Sequence, residues 1–338
     1  MELDTNTTIK TLGDYAYQAI EKHYKKTLKW EKSVKKDEDP EALHQMRVGM
    51  RRLRTSVSRF AIALNLSKPI SDKNIGKLAR RLGNLRDLDV LKETLEKDYK
   101  PQLSSKDQKH LNTAFDALAK QREHALDTVQ TTLKDDSYKS LKQALEDWLE
   151  KPSYQELASI TIQQVLPDLL LPEVSQFLLH PGWLVGTEVV ESQFKVRTDW
   201  GAKKVEQHLA NEGEKLHSLR KQAKRVRYQM DLFADLYSES YAAYIADVKK
   251  IQDILGAMQD SVVLTEWLED VFKSDMDSHV HGLNKLLTEN RYKLWQQWQP
   301  LQERYLTTET RHGFHLTILH PKDSGFVNED ETSAQTIG

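Results

Sequence analysis

The chain has 338 residues, with 49 Lys and Arg against 51 Asp and Glu and a formal net charge of −2. That balance excludes a uniformly basic nucleic-acid coat, so any anion site must come from local segregation of charge. There is no cysteine, which excludes disulfides and thiolate metal sites and fits a reducing compartment.

The first residues, Met1-Glu-Leu-Asp-Thr-Asn, hold neither a cationic region nor an apolar run, so no signal peptide is expected. No stretch approaches the roughly 18 apolar residues of a membrane helix, and the chain reads as soluble and cytoplasmic. Leu12, Tyr15, Ala19, Ile20, His23 and Leu28 recur at helical spacing and predict a long helix that ends in the charged stretch Lys35 to Pro40. A second helix starts at Pro40, with Pro and Glu in its first turn, and reaches about Leu64. Further helices are expected over about 71–95, 106–133, 138–150 and 153–170. The segment Leu171 to Gly186 carries Pro172, Pro181, Gly182 and Gly186 and reads as the boundary between halves. Helices then follow near 195–210, 213–236, 240–272 and 280–306. After Thr307 the periodicity fades, and the Ser-, Asp-, Glu- and Thr-rich stretch from Pro321 reads as disordered. No convincing period-2 stretch appears. The expected fold is all-α: two antiparallel helical bundles related by internal duplication, spanning about 8–170 and 186–306, with a partly disordered tail at 307–338.

The duplication rests on a basic box that occurs twice, 173 residues apart. The first copy holds Glu41, Leu43, His44, Arg47, Arg51, Arg52, Arg54 and Phe60. The second holds Glu214, Leu216, His217, Arg220, Lys224, Arg225, Arg227 and Phe233. Downstream, Lys77, Leu82-Gly83 and Asp87 correspond at the same offset to Lys250, Leu255-Gly256 and Asp260. On a helix, His44, Arg47, Arg51 and Arg54 share an arc of roughly 80° beside the apolar stripe, and so do His217, Arg220, Lys224 and Arg227. Arg52 and Arg225 fall further round, nearer solvent. Residues 44–59 hold five arginines and 215–227 six Lys and Arg, with no carboxylate in either run. Such a ladder repels itself, so it points to a counter-anion with closely spaced charges. Guanidinium forks match phosphate oxygens, and lysine adds a point charge. Lys77, Arg80 and Asn84 lie on one stripe and could close a basic channel, whereas Asp253 stands where the second half would need the counterpart of Arg80. Asp87 and Asp260 are expected to orient arginines by ion pairs.

The sequences His44-Gln-Met-Arg47-Val-Gly-Met-Arg51-Arg52-Leu-Arg54, Leu82-Gly83-Asn84-Leu85-Arg86-Asp87 and His217 to Tyr228 resemble the signatures of the CHAD family, the conserved histidine α-helical domain, over residues from about 8 to 306. The resemblance implies two helical bundles related by a pseudo-twofold axis, with a basic surface and channel that bind inorganic polyphosphate. It also implies association with polyphosphate granules and a CYTH-type phosphatase, or another polyphosphate enzyme, as partner. Carried over, the binding residues would be His44, Arg47, Arg51, Arg52, Arg54, Lys77, Arg80, Arg81, His217, Arg220, Lys221, Lys224, Arg225, Arg227 and Lys250.

An enzyme reading finds no Gly-x-x-x-x-Gly-Lys loop, no His-Glu-x-x-His and no aspartate cluster suited to Mg²⁺. No catalytic residue, metal or cofactor is therefore expected. Nucleic-acid binding is the stronger rival, because phosphodiesters also match an arginine ladder. Readers of unpaired bases add stacking aromatics, and the boxes hold only Tyr228 and the core-phase Phe60 and Phe233. The tryptophans lie outside the boxes and read mostly as core.

Overall fold

The computed structural model describes residues 10–273 and 276–322. The reading of the N-terminus as free of a signal peptide rests on residues before Lys10, and that of a disordered tail on residues mostly after Lys322. Both lie outside the described residues. Among the described residues eleven α-helices carry the fold: α1 (Leu12–Lys36), α2 (Pro40–Phe60), α3 (Asp72–Arg81), α4 (Gly83–Thr94), α5 (Ser105–Thr132), α6 (Asp136–Glu150), α7 (Ile162–Leu178), α8 (Ala202–Leu232), α9 (Glu239–Phe272), α10 (Met276–Leu306) and α11 (Thr308–Leu319). No described helix is long and apolar enough to cross a membrane.

Local chemistry explains several boundaries. Thr11 and Asp14 form a reciprocal capping box at the start of α1, and Asp39 caps α2 ahead of Pro40. Ser104 caps α5 through the Asp107 backbone amide. The helix expected over 71–95 is broken at Leu82 into α3 and α4. The helices expected at 195–210 and 213–236 are one, α8, which runs through Gly213.

The boundary expected at Leu171 to Gly186 is instead entered by α7, which holds Pro167 and Pro172 in its interior. Each interior proline costs about 3 kcal/mol of helix stability, and burial of Leu166, Leu169, Leu170, Val174 and Phe177 offsets it. A short antiparallel hairpin follows, β1 (Thr187–Val190) and β2 (Gln193–Val196). Its turn residues Glu191 and Ser192 both have positive φ, the conformation of a two-residue hairpin turn that Asn-Gly would have advertised. Beyond Leu306, where periodicity fades, α11 buries Phe314 and Ile318.

α1 packs along α2, α8 along α9, and α9 along α10, while α5 contacts α4, α9 and α10. Phe60 and Phe233 meet edge to face at 5.8 Å, and Tyr15 packs against both rings. This aromatic junction locks the ends of α2 and α8 together, and so sets the spacing of the two basic boxes. Two ion-pair hubs hold other elements. Arg122 of α5 bonds Asp37 bidentately and also Asp89. The buried Arg291 of α10 bonds Glu206 of α8 and the hydroxyls of Ser261 and Thr265.

Candidate functional site

The apolar stripe of each box is buried: Leu43, Met46, Met50, Leu53, Val57 and Phe60 on α2, and Leu216, Leu219, Ala223, Val226, Met230 and Phe233 on or beside α8. Burial of those faces fixes the rotation of each helix and leaves the cations along the border, half-buried.

The ladders converge. Lys224 is surrounded by Arg51, Arg220 and Arg47, with Asp87 as the opposing charge. Burial first, then those three guanidiniums, push its ammonium down to about 8. Arg51 donates to the Tyr228 hydroxyl across the two helices and lies 5.1 Å from its ring centre. Arg227 lies 4.7 Å from the same ring. Tyr228 thus stands between two guanidiniums.

Arg47 and Arg220 each face an aspartate, with Arg47 the more firmly held. Arg47 donates to the Gly83 carbonyl at 2.6 Å and to Asp87 at 3.1 Å. Arg220 lies 3.7 Å from Asp260. A Cβ on Gly256 would meet Arg220 Nε at 3.1 Å, and one on Gly83 would meet Arg47 Nη2 at 3.5 Å. Gly256 thus leaves room for the Arg220 guanidinium, whereas a Cβ on Gly83 would only touch that of Arg47. Arg220 Nε and Arg227 Nε are buried donors without a hydrogen bond, although Asp231 lies 3.6 Å from the latter, and His217 Nδ1 is buried without a hydrogen-bond partner, an arrangement that costs free energy unless a partner arrives.

His44 and His217 are both held below the ordinary imidazole range. For His44 the cause is burial, with Arg86, Arg51 and Arg47 adding to it against Glu41. For His217 it is burial and then Lys221. Both rings are therefore neutral at pH 7 in the free protein.

Other residues of the sequence set lie apart or are engaged. Arg54 forms a bidentate pair with Asp72, Arg81 pairs with Asp135 at 3.1 Å, and Arg225 bonds the buried Glu173 at 2.5 Å. Lys221 is exposed, 3.6 Å from Glu214. Lys77, Arg80 and Lys250 are exposed. Arg52 lines a cavity against α1, beside Lys22 and His23. The α1 residues Lys22, His23 and Lys26 are absent from the sequence set because His23 falls in the apolar phase of α1 and so reads as core. Its burial fits that reading, but its neighbours are cationic. Among the described residues no group of three or more His, Asp or Glu could hold a metal ion.

The chain matches the CHAD domain family over residues 18–269. Its fold is similar to the crystal structure of the CHAD domain from the plant Ricinus communis, at 22% identity and a TM-score of 0.57, covering 93% of this chain and 94% of that one. It is also similar to PptA from Streptomyces chartreusis, at 11% identity and a TM-score of 0.60, covering 91% of this chain and 99% of that one. At these identities the likeness concerns the fold alone. No curated protein matches the chain.

Proposed function

The chain belongs to the CHAD domain family, and we propose that it binds inorganic polyphosphate, without chemistry, through the two converging ladders. The observation that carries this reading is the crowding of Arg51, Arg47, Arg220 and Lys224 with few opposing carboxylates. Such a cluster raises the free energy of the unliganded protein, and a linear polyanion with a charge on every phosphate relieves it along its length. The basic channel and the duplication of the chain over about 8–170 and 186–306 belong to the same reading. Two half-sites 173 residues apart in sequence would present matching cations to a ligand whose two directions are equivalent.

The direct contacts in this reading are His44, Arg47, Arg51, His217, Arg220, Lys224 and Arg227, extended by the exposed Lys77, Arg80, Lys221 and Lys250. Arg54, Arg81 and Arg225 are assigned to positioning, because each holds a carboxylate and none is among the guanidiniums gathered around Lys224 and Tyr228. Such a module would bring a protein to polyphosphate granules or serve beside a CYTH-type phosphatase.

Calorimetric titration with long-chain polyphosphate at near-physiological salt, with single-stranded RNA as competitor, tests the reading. Binding that RNA does not displace, with affinity falling steeply with salt, is expected. Arg51→Ala and Lys224→Ala should each lower affinity and reduce the salt slope by about one. Equal displacement by RNA would favour a general polyanion binder instead.

A further inference from the structure

A second cationic site borders the ladder, sharing Tyr228 with it. A cavity of about 470 Å³ opens between α1, α2 and the C-terminal end of α8, lined by Lys22, His23, Arg52, Tyr228, Asp231 and Asp235 among others. Volumes of this order suit small-molecule ligands.

Charge is unevenly distributed in it. Arg52, Lys22 and Lys26 act together on His23. His23 is 94% buried by its 6% exposure, and its Nδ1 has no hydrogen-bond partner. Arg52 makes no ion pair within reach among the described residues, although Asp231 lies close enough to feel its charge. Asp231 is itself 3.6 Å from Arg227. Towards the other end, Asp235 accepts from the Tyr15 hydroxyl at 2.6 Å, and Ala19, Leu232 and Ala234 supply apolar wall, with Lys10 at the edge.

The contrast with the other half is informative. Arg225, 173 residues after Arg52, is neutralised by the buried Glu173 of α7, which also takes Arg59 and Gln222. On the first half, α1 brings His23 and lysines to Arg52 where α7 brings a carboxylate to Arg225. A helix that replaces the counter-ion by more cations leaves an anion-shaped need.

We propose that this cavity binds a small organic phosphomonoester. The phosphate would lie among Lys22, His23 and Arg52, and the hydroxyl or amine groups of the organic part would face Asp231 and Asp235. A bare phosphate would leave most of the cavity and both carboxylates unused, and a carboxylate ligand would offer Lys22, Arg52 and the His23 ring only two oxygens. This site stands independently of the polyphosphate reading.

The test uses the full chain and glycerol 3-phosphate as probe, followed by calorimetry and by the imidazole nitrogen resonances of His23. One-site binding is expected, with the His23 resonances shifting towards the protonated form as the site fills. Lys22 is exposed, so Lys22→Ala should fold normally, and it should weaken binding by about tenfold. The same substitution should leave polyphosphate affinity within about twofold, whereas Lys224→Ala should show the reverse preference. Absence of binding, unmoved His23 resonances, or a larger loss of glycerol 3-phosphate affinity in Lys224→Ala than in Lys22→Ala would each overturn the proposal.

Discussion

Lys224 of α8 stands against Arg51 of α2, and burial together with that guanidinium holds its ammonium down to about 8. The two basic boxes therefore meet as like charges. Because the folded value lies below the ordinary lysine value, the folded state favours the neutral amine. At pH 7, where both folded and unfolded chains hold the proton, Lys224 destabilises the fold by a few kcal/mol at most, on the order of 3. Lys224→Met keeps the packing and removes the charge. It should raise the unfolding midpoint by several degrees and weaken polyphosphate binding, and a thermal melt paired with calorimetry checks both. A variant that binds less and melts lower would mean that Lys224 contributes to stability instead.

Glu173 is the opposite case, a single buried carboxylate that serves Arg59, Arg225 and Gln222. Glu173→Gln leaves two guanidiniums sharing a neutral amide and should cost about 3–5 kcal/mol, as breaking a buried ion pair does. Denaturant unfolding measures it. Adding Arg225→Ala to Glu173→Gln should recover part of the loss, since the second unpaired cation is then gone. Strictly additive losses would show that Arg225 and Glu173 are not energetically coupled.

How much of this was legible in the sequence follows from which interactions are local. The rotation of α2 and α8, with Leu43 to Phe60 inward and the cations at the border, could be read from periodicity because a helix face repeats along the chain. So could the role of Asp87 and Asp260 in orienting arginines, since both recur at one offset, whereas the structure identifies the arginines as Arg47 and Arg220. The partner of Arg225 could not, because Glu173 comes from a helix whose existence depends on tertiary burial around Pro167 and Pro172. The hairpin was hidden by a Glu191-Ser192 turn without glycine or asparagine. α11 was hidden because it is short and buries its apolar side chains only against the completed fold.

His23 gives the fold a specific acid sensitivity. Burial, then Arg52, Lys22 and Lys26, push its imidazole down to about 4, below the ordinary value of roughly 6.5. The folded state thus prefers the neutral ring. The associated stability, on the order of 3 kcal/mol, is fully present above about pH 6.5 and is lost as pH falls towards 4, where the unfolded chain holds the extra proton. His23→Gln should flatten the fall in unfolding free energy between pH 7 and pH 4.5. Parallel curves for the two proteins would exclude His23 as the cause.

Ligand binding should reverse the same physics at His44 and His217. Both are held below the ordinary imidazole range in the free protein, by burial first and neighbouring cations after it. Polyphosphate seated on the ladders offsets those cations and adds negative charge, so both imidazoles should be protonated more readily in the complex. Binding then takes up protons near neutral pH, and affinity should rise as pH falls from 8 towards 6, before the phosphates themselves begin to gain protons. Calorimetry in two buffers of different ionisation enthalpy measures the uptake directly. The double variant His44→Gln, His217→Gln should remove the share of uptake that grows towards pH 6, leave the share of Lys224, whose ammonium titrates at about 8 in the free protein, and retain binding through Arg47, Arg51, Arg220 and Lys224. Proton release, or uptake unchanged in that variant, would assign the linkage to another group and leave the two histidines as packing residues at the border of the ladders.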